Sequence, residues 1–150
     1  MRMNTRFSVA VHAMTLIALN SIKYKDISTT SEIMALSINT NPVVIRRMIA
    51  MLKKAGLVEV KAGVGGAALK RAPKDITLLD IYNAVKTSED DALFAVHKNP
   101  NLKCYVGAHI LDAVAPPLLD AQKALEDRLA ASTLQEVIRP IAEKNHMRSE

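Results

Sequence analysis

"SINTNPVVIRRMIAMLKKAGLVEV", residues 37–60, reads as a turn, a helix and the start of a strand. Asn41 can accept hydrogen bonds as an N-cap. Pro42 suits the first helical position, where its missing N–H would be unpaired anyway, and Gly56 suits the place just past the last turn. These signals predict a helix over 42–55. On it Ile45, Met48, Ile49, Leu52 and Ala55 recur at helical spacing as an apolar face, which leaves Val43, Arg46, Arg47, Ala50 and Lys54 on the other side. One face packs and the other is basic.

Working outward, residues 6–20 carry Val9, Ala10, Ala13, Met14, Leu16 and Ile17 at the spacing of a first helix. Thr29 and Glu32 stand at capping-box spacing ahead of Ile33 and Leu36, which predicts a short second helix over about 30–37. Leu57–Val60 reads as a strand, Gly63-Val64-Gly65-Gly66 as a flexible loop and Ala67–Arg71 as the returning strand, so the unit ends in a hairpin with a glycine-rich tip. Thr77–Lys86 is a fourth helix, Ser88–Asp91 an acidic break and Asn99-Pro100-Asn101 a turn. A long helical pattern follows over about 105–130, with Leu111, Val114, Leu118, Ala121, Leu125 and Leu129 three and four residues apart. Pro116-Pro117 predicts a kink there or two helices meeting, and a last helix over 133–143 is expected to break near Pro140. A stripe of that length needs a cover that one small domain does not supply, and a second copy of the chain is the expected one.

With 150 residues, 49% of them hydrophobic, the chain can bury a core unaided. Its single cysteine, Cys104, rules out an intrachain disulfide and fits a reducing, cytoplasmic setting. Arg2, Arg6 and the apolar stretch 7–19 imitate a secretory signal, but His12 and Thr15 interrupt the stretch and no small-x-small site follows. No apolar run approaches the 18 or so residues of a membrane span. Charge is divided unevenly. Residues 1–75 hold 12 Lys and Arg against 4 Asp and Glu, a net +8, while residues 76–150 hold 8 against 11, a net −3. The basic half is the footprint of a polyanion, nucleic acid or an anionic surface. Two Phe, three Tyr and no Trp leave little for stacking unpaired bases, so duplex DNA is the expected partner.

Two short helices, a tight turn, a basic helix and a glycine-tipped hairpin make a winged helix-turn-helix. A helix fits the major groove of B-DNA and reads base edges, while the preceding helix and the wing hold phosphates. The expected fold is mainly α with a small β-hairpin: a winged helix-turn-helix domain over 1–86 with its wing at about 57–71, a connecting region over 87–103, and dimerisation helices over 104–150. The alternative is a winged-helix interaction module that binds a protein, such as a metabolic enzyme. Catalysis finds no support: there is no Walker-type phosphate loop, no H-E-x-x-H and no paired cysteines. A thiol enzyme using Cys104 would lack a committed base.

Three segments, "MRMNTRFSVAVHAMTLIAL", "NTNPVVIRRMIAMLKKAGLVEVKAGVGGAALKRAPKDITLLDIYNAV" and "NPNLKCYVG", together resemble the Rrf-two family of bacterial winged-helix transcriptional regulators over most of the chain. The stretch 41–85 is the most specific part, since it joins the basic helix, the L-x-K-A-G-L-V exit, the G-x-G-G wing and the I-T-L-L-D helix in the family's order. The resemblance implies a homodimer, a repressor whose long helices cross and whose winged domains contact successive major grooves of a palindromic operator. Base-reading positions would be Thr40, Asn41, Val43, Val44, Arg46 and Arg47. Arginine can grip guanine bidentately and a valine can meet a thymine methyl, but which arginine reaches a base stays open. Lys61, Lys70 and Arg71, with backbone N–H groups at Gly63, Gly65 and Gly66, would hold phosphate or enter the minor groove. Thr29 and Thr30 fit phosphate contacts at a helix start, or ordinary capping, and Asn4, Thr5 and Arg6 form a weaker set of the same kind.

Cluster-binding members of that family carry three cysteines before the long helix, whereas residues 88–107 here hold Cys104 alone. An iron–sulfur cluster needs several thiolates, so no cluster is expected even with His97 or His109 nearby, and the sequence itself points to no other cofactor or metal. Three readings of Cys104 stay open: a small hydrophobe, a redox thiol forming a sulfenic acid or an intersubunit disulfide, or a ligand in another metal or effector site. Lys103 beside it could lower its pKa. The regulator's signal is accordingly thiol oxidation or a small effector.

Overall fold

The computed structural model describes residues 3–23, 29–61, 66–87 and 93–147. The tip residues Gly63 and Gly65 and the acidic segment 88–91 lie outside them. Helix α1 runs over Met3–Lys23 and forms the centre of the core, with Ala10, Ala13, Met14, Ile17 and Ala18 at most 1% exposed. Three of these five are alanines, which lets neighbouring helices approach closely. The buried Thr15 satisfies its hydroxyl on the carbonyl of Val11 at 2.8 Å.

Helices α2 (Ser31–Ile38) and α3 (Pro42–Lys54) pack on α1 and on each other. Thr30 caps α2, its hydroxyl accepting from the N–H of Ile33 at 3.4 Å. The Thr29–Glu32 capping box read from the sequence does not form, and the cap lies one residue later for a reason that lies in the wing. Asn39, in the left-handed conformation at φ 58°, turns the chain, and the N–H of Thr40 donates to Ala35 at 3.0 Å. Asn41 caps α3 as expected, accepting from the N–H of Val43 at 2.8 Å, with Pro42 following. Ile45, Met48, Ile49 and Leu52 are buried, while Ala55, counted with them from its spacing, is the exposed C-cap. Gly56 then leaves the helix at φ 75°.

Strands β1 (Val58–Val60) and β2 (Ala67–Leu69) pair antiparallel with Val58 opposite Leu69 and Val60 opposite Ala67. A 3-10 turn over Pro73–Asp75 leads to α4 (Leu78–Ala84). There Thr77 and Asp80 make a reciprocal capping box, at 2.9 Å and 3.0 Å, that the sequence reading passed over. Phe7 of α1 meets Tyr82 of α4 edge to face at 5.7 Å.

Helix α5 spans Tyr105–Ala130 as one element. Pro116-Pro117 does not divide it into two. The prolines and the residues four before them, Asp112 and Ala113, are exposed, so water can take the two carbonyls left without an N–H. Helix α6, Leu134–Met147, likewise continues through Pro140, which is exposed together with Glu136 four residues earlier. Within the stretch 104–150, expected from the sequence to form dimerisation helices, α6 takes part in the core of its own chain. It packs on α1 and the 3-10 turn, Leu134 and Ile138 belong to the core of the winged domain, and the N–H of Leu134 donates to Ile76 at 2.9 Å. By contrast, no residue of α5 is fully buried. Among the described residues no helix is long and apolar enough to cross a membrane.

Because Leu134 is wholly buried where α6 meets the core, Leu134→Ala should lower unfolding free energy by about 2–5 kcal/mol in urea denaturation. A loss below about 1 kcal/mol would place α6 outside the cooperative core.

Candidate nucleic-acid interface

The burial of one α3 face decides what the other presents. Arg46, Arg47, Ala50, Lys53 and Lys54 are exposed, and so is Val43 at 45%. No acidic residue occurs on this helix, and Lys53 and Lys54 occupy its last turn, where the helix dipole favours cations. Val44 is half-buried and turns towards α1, lining a shallow hollow with Arg6, Arg47, Met48 and Met51. Of the two valines, Val43 is thus the one open to a thymine methyl. Thr40 is half-buried, and Asn41 is exposed but has committed its side-chain oxygen to the α3 cap.

The two arginines differ in their surroundings. Arg46 Nη1 donates to Glu32 Oε1 of α2 at 3.0 Å, whereas Arg47 has no ion-pair partner among the described residues. Sequence reasoning missed Glu32 as part of this surface, having assigned it to a cap. The available signal was that it is the sole acidic residue between positions 27 and 58.

Thr29 must be withdrawn from the phosphate-binding set. It is 6% exposed and its hydroxyl donates to the carbonyl of Ala67 at 2.5 Å, while its own carbonyl accepts from the N–H of Ala67 at 3.3 Å. Thr29 thereby ties the start of α2 to β2 of the wing, and capping passes to Thr30. Gly66 closes the joint. It adopts φ 62°, and a Cβ there would stand 2.7 Å from the Thr29 carbonyl carbon, so only glycine fits. Lys61 and Lys70 are exposed at the two edges of the wing. Arg71 is exposed too but turns back on its own domain, with Nη1 3.6 Å from Asp80 Oδ2. Arg6 is half-buried and turns part of its guanidinium inward: its Nη1 donates to the Val85 carbonyl at 3.0 Å and to Thr87 Oγ1 at 3.1 Å. Thr5 is exposed, and the side chain of Asn4 lies outside the described residues.

Cys104 is exposed at the N-cap of α5. Backbone N–H groups of Gly107 and, to a lesser degree, Val106 favour its thiolate and hold the thiol below its ordinary pKa, against a smaller opposing desolvation. His97 is exposed, and His109 meets Tyr105 edge to face at 5.3 Å.

A basic helix held outward by its own core face, capped by Asn-Pro and followed by a wing, is the architecture of a DNA-reading domain. The family model described as "Rrf2: Iron-dependent Transcriptional regulator" matches residues 3–140. The chain belongs to the Rrf2 family. It is similar to a Bacillus subtilis (strain 168) protein named "Putative HTH-type transcriptional regulator YwnA", 48% identical over 135 residues that cover 90% of this chain and 96% of the relative. A crystal structure titled as that of a putative DNA binding protein is 42% identical, with a TM-score of 0.69, over 89% of this chain and 98% of the other. The T. potens IscR structure, 22% identical with a TM-score of 0.63 over 93% of this chain and 87% of its own, shares the fold. This Rrf2 protein is a winged-helix, DNA-binding transcriptional regulator and not an enzyme.

The family's description implies iron, and the described side chains do not fit it. The sequence holds one cysteine, and among the described residues no three His, Cys, Asp or Glu side chains gather at one point. A thiolate-ligated cluster draws on several cysteines.

The Thr29–Ala67 joint generates a prediction. Thr29→Val keeps the side-chain volume but leaves the carbonyl of Ala67 without its hydroxyl donor, and should cost about 1–3 kcal/mol in chemical denaturation. Thr29→Ser should keep most of that stability. Equal stability of all three proteins would remove the latch.

Proposed function

We propose that this Rrf2 protein is a cytoplasmic homodimeric repressor that binds a palindromic operator, with α3 of each protomer in a major groove. The observation that carries the proposal is the outward face of α3. Val43, Arg46, Arg47 and Lys54 are presented from a helix whose opposite side is sealed in the core, and a helix of these dimensions fills the groove. Thr30, at the start of α2, and Lys61 and Lys70 of the wing would grip phosphates on either side. The exposed Cys104 gives such a regulator a thiol that is open to oxidation.

Pairing of two copies is supported by α5. Across its 26 residues nothing is fully buried: Leu111, Val114, Leu118, Ala121, Leu125 and Leu129 are half-covered, and Val106 and Leu119 are 62% and 68% exposed. An apolar stripe of that length on a winged domain is accounted for by a partner helix of the same kind. The two reading helices would then face half-sites one turn apart, roughly 34–36 Å, or a multiple of it.

The test combines light scattering with fluorescence anisotropy, using a duplex from directly upstream of the protein's own gene and a scrambled control over a range of salt. The protein should be a dimer that prefers the upstream duplex. Leu118→Asp with Leu125→Asp should give a folded monomer whose affinity falls at least tenfold. A variant that stays dimeric would move the interface elsewhere, and absence of DNA binding even at low salt would favour a protein partner.

A further inference from the structure

We infer that Glu32 is a positioning residue that aims Arg46 at a base edge, leaving Arg47 to bind phosphate. The inference rests on the DNA-binding reading above and resolves which arginine carries sequence information. Glu32 lies in the first turn of α2 and reaches across to α3, where its Oε1 accepts from Arg46 Nη1 at 3.0 Å. The two side chains are 65% and 55% exposed, and a pair as wet as this adds little to folding stability.

Its placement is costly for a DNA-binding surface. A carboxylate in the first turn of α2 weakens the pull that the helix start and Thr30 exert on phosphate, and it is the one negative charge between positions 27 and 58. What the carboxylate supplies in return is direction. Arginine's guanidinium is a rigid planar fork with five donors. Glu32 takes one of them, and the fork makes no other hydrogen bond among the described residues. The Nε–Nη2 edge therefore remains free for the two acceptors, O6 and N7, that guanine shows in the major groove. A guanidinium anchored at one corner forgoes less rotamer freedom on binding than one that swings free, and a fixed fork rejects bases lacking that acceptor pair.

Arg47 is on the same helix with no such tether among the described residues. A cation without a directing partner can meet phosphate anywhere along a backbone, which gives affinity without discrimination.

The test uses a duplex that the wild-type protein selects from a randomised 30-base-pair library, with a scrambled duplex of the same composition. Binding to each is measured over a range of salt for the full-length wild type, Glu32→Gln, Arg46→Ala, the double variant Glu32→Gln with Arg46→Ala, and Arg47→Ala. Arg46→Ala should reduce the selected-to-scrambled ratio by about five- to a hundredfold, the range of one bidentate arginine–guanine contact in discrimination. Glu32→Gln should lower the same ratio while leaving or raising affinity for the scrambled duplex, since a repulsive charge is gone. In the double variant it should add nothing to Arg46→Ala. Arg47→Ala should weaken both duplexes alike and flatten the salt dependence.

A Glu32→Gln protein with an unchanged ratio overturns the inference, as does one that loses affinity for both duplexes equally. The same holds if Arg47→Ala and not Arg46→Ala erases the base preference, or if the effects of Glu32→Gln and Arg46→Ala simply add. If the wild-type protein enriches no sequence at all, it is the DNA-binding reading that fails.

Discussion

The functional surface depends on the burial of Ile45, Met48, Ile49 and Leu52 beneath α3. Each is at most 7% exposed, and burying a side chain of this size contributes about 1.5–3 kcal/mol. Because an α-helix has only two broad sides, sealing these four fixes the orientation of all the others, and Val43, Arg46, Arg47 and Lys54 are turned outward as a consequence. Their partner surfaces are α2, β1, α4 and, at the centre of the shared core, α1. The same helix organises the rest of the domain through polar threads at its margins. Arg6 holds the end of α4, His12 Nε2 is 3.1 Å from Ser37 Oγ of α2, and Phe7 meets Tyr82.

Around that axis the domain is closed by two joints between segments far apart in sequence. Thr29 and Ala67, 38 residues apart, join the start of α2 to the wing, so helix and hairpin are tied together. The second joint brings Leu78 and Ser132 together at 2.9 Å and Ile76 and Leu134 at 2.9 Å, with Thr77 and Thr133 paired as a single β-bridge. Here α6 returns to the core immediately after α5 leaves it. Helix α5 is thereby carried on a fixed base while its apolar stripe stays outside the core. On the proposed reading, a winged domain tied in this way to the dimerising helix would place two copies at a set distance on DNA.

Local chemistry made much of this legible in the sequence. The Asn41-Pro42 cap, the periodicity of α3 and the left-handed Gly56 all act within a few residues, and the helix ends within one residue of the expected bound. What escaped the sequence is non-local. Thr29 and Thr30 are equivalent as cap candidates until β2 arrives and takes the first. Arg71 belongs to the wing by position, but Asp80 turns it away. Glu32 looked like a capping residue because its partner, Arg46, is 14 residues further on. The prolines do not end their helices. Pro116, Pro117 and Pro140 obey a local rule for breaking helices, yet all are exposed, where water can satisfy the carbonyls they orphan. A last helix over 133–143 is legible in the sequence, without any sign of which surface it covers.

The central claim is that two copies of α3 enter major grooves related by a two-fold axis. Dimethyl sulfate footprinting on a selected duplex tests it most directly, because the reagent methylates guanine N7 on the major-groove edge. The account predicts N7 protection in two symmetric patches whose centres lie about 10–10.5 base pairs apart, or a multiple of that spacing. A bound complex that leaves every guanine N7 reactive, or that protects a single asymmetric patch, would contradict it.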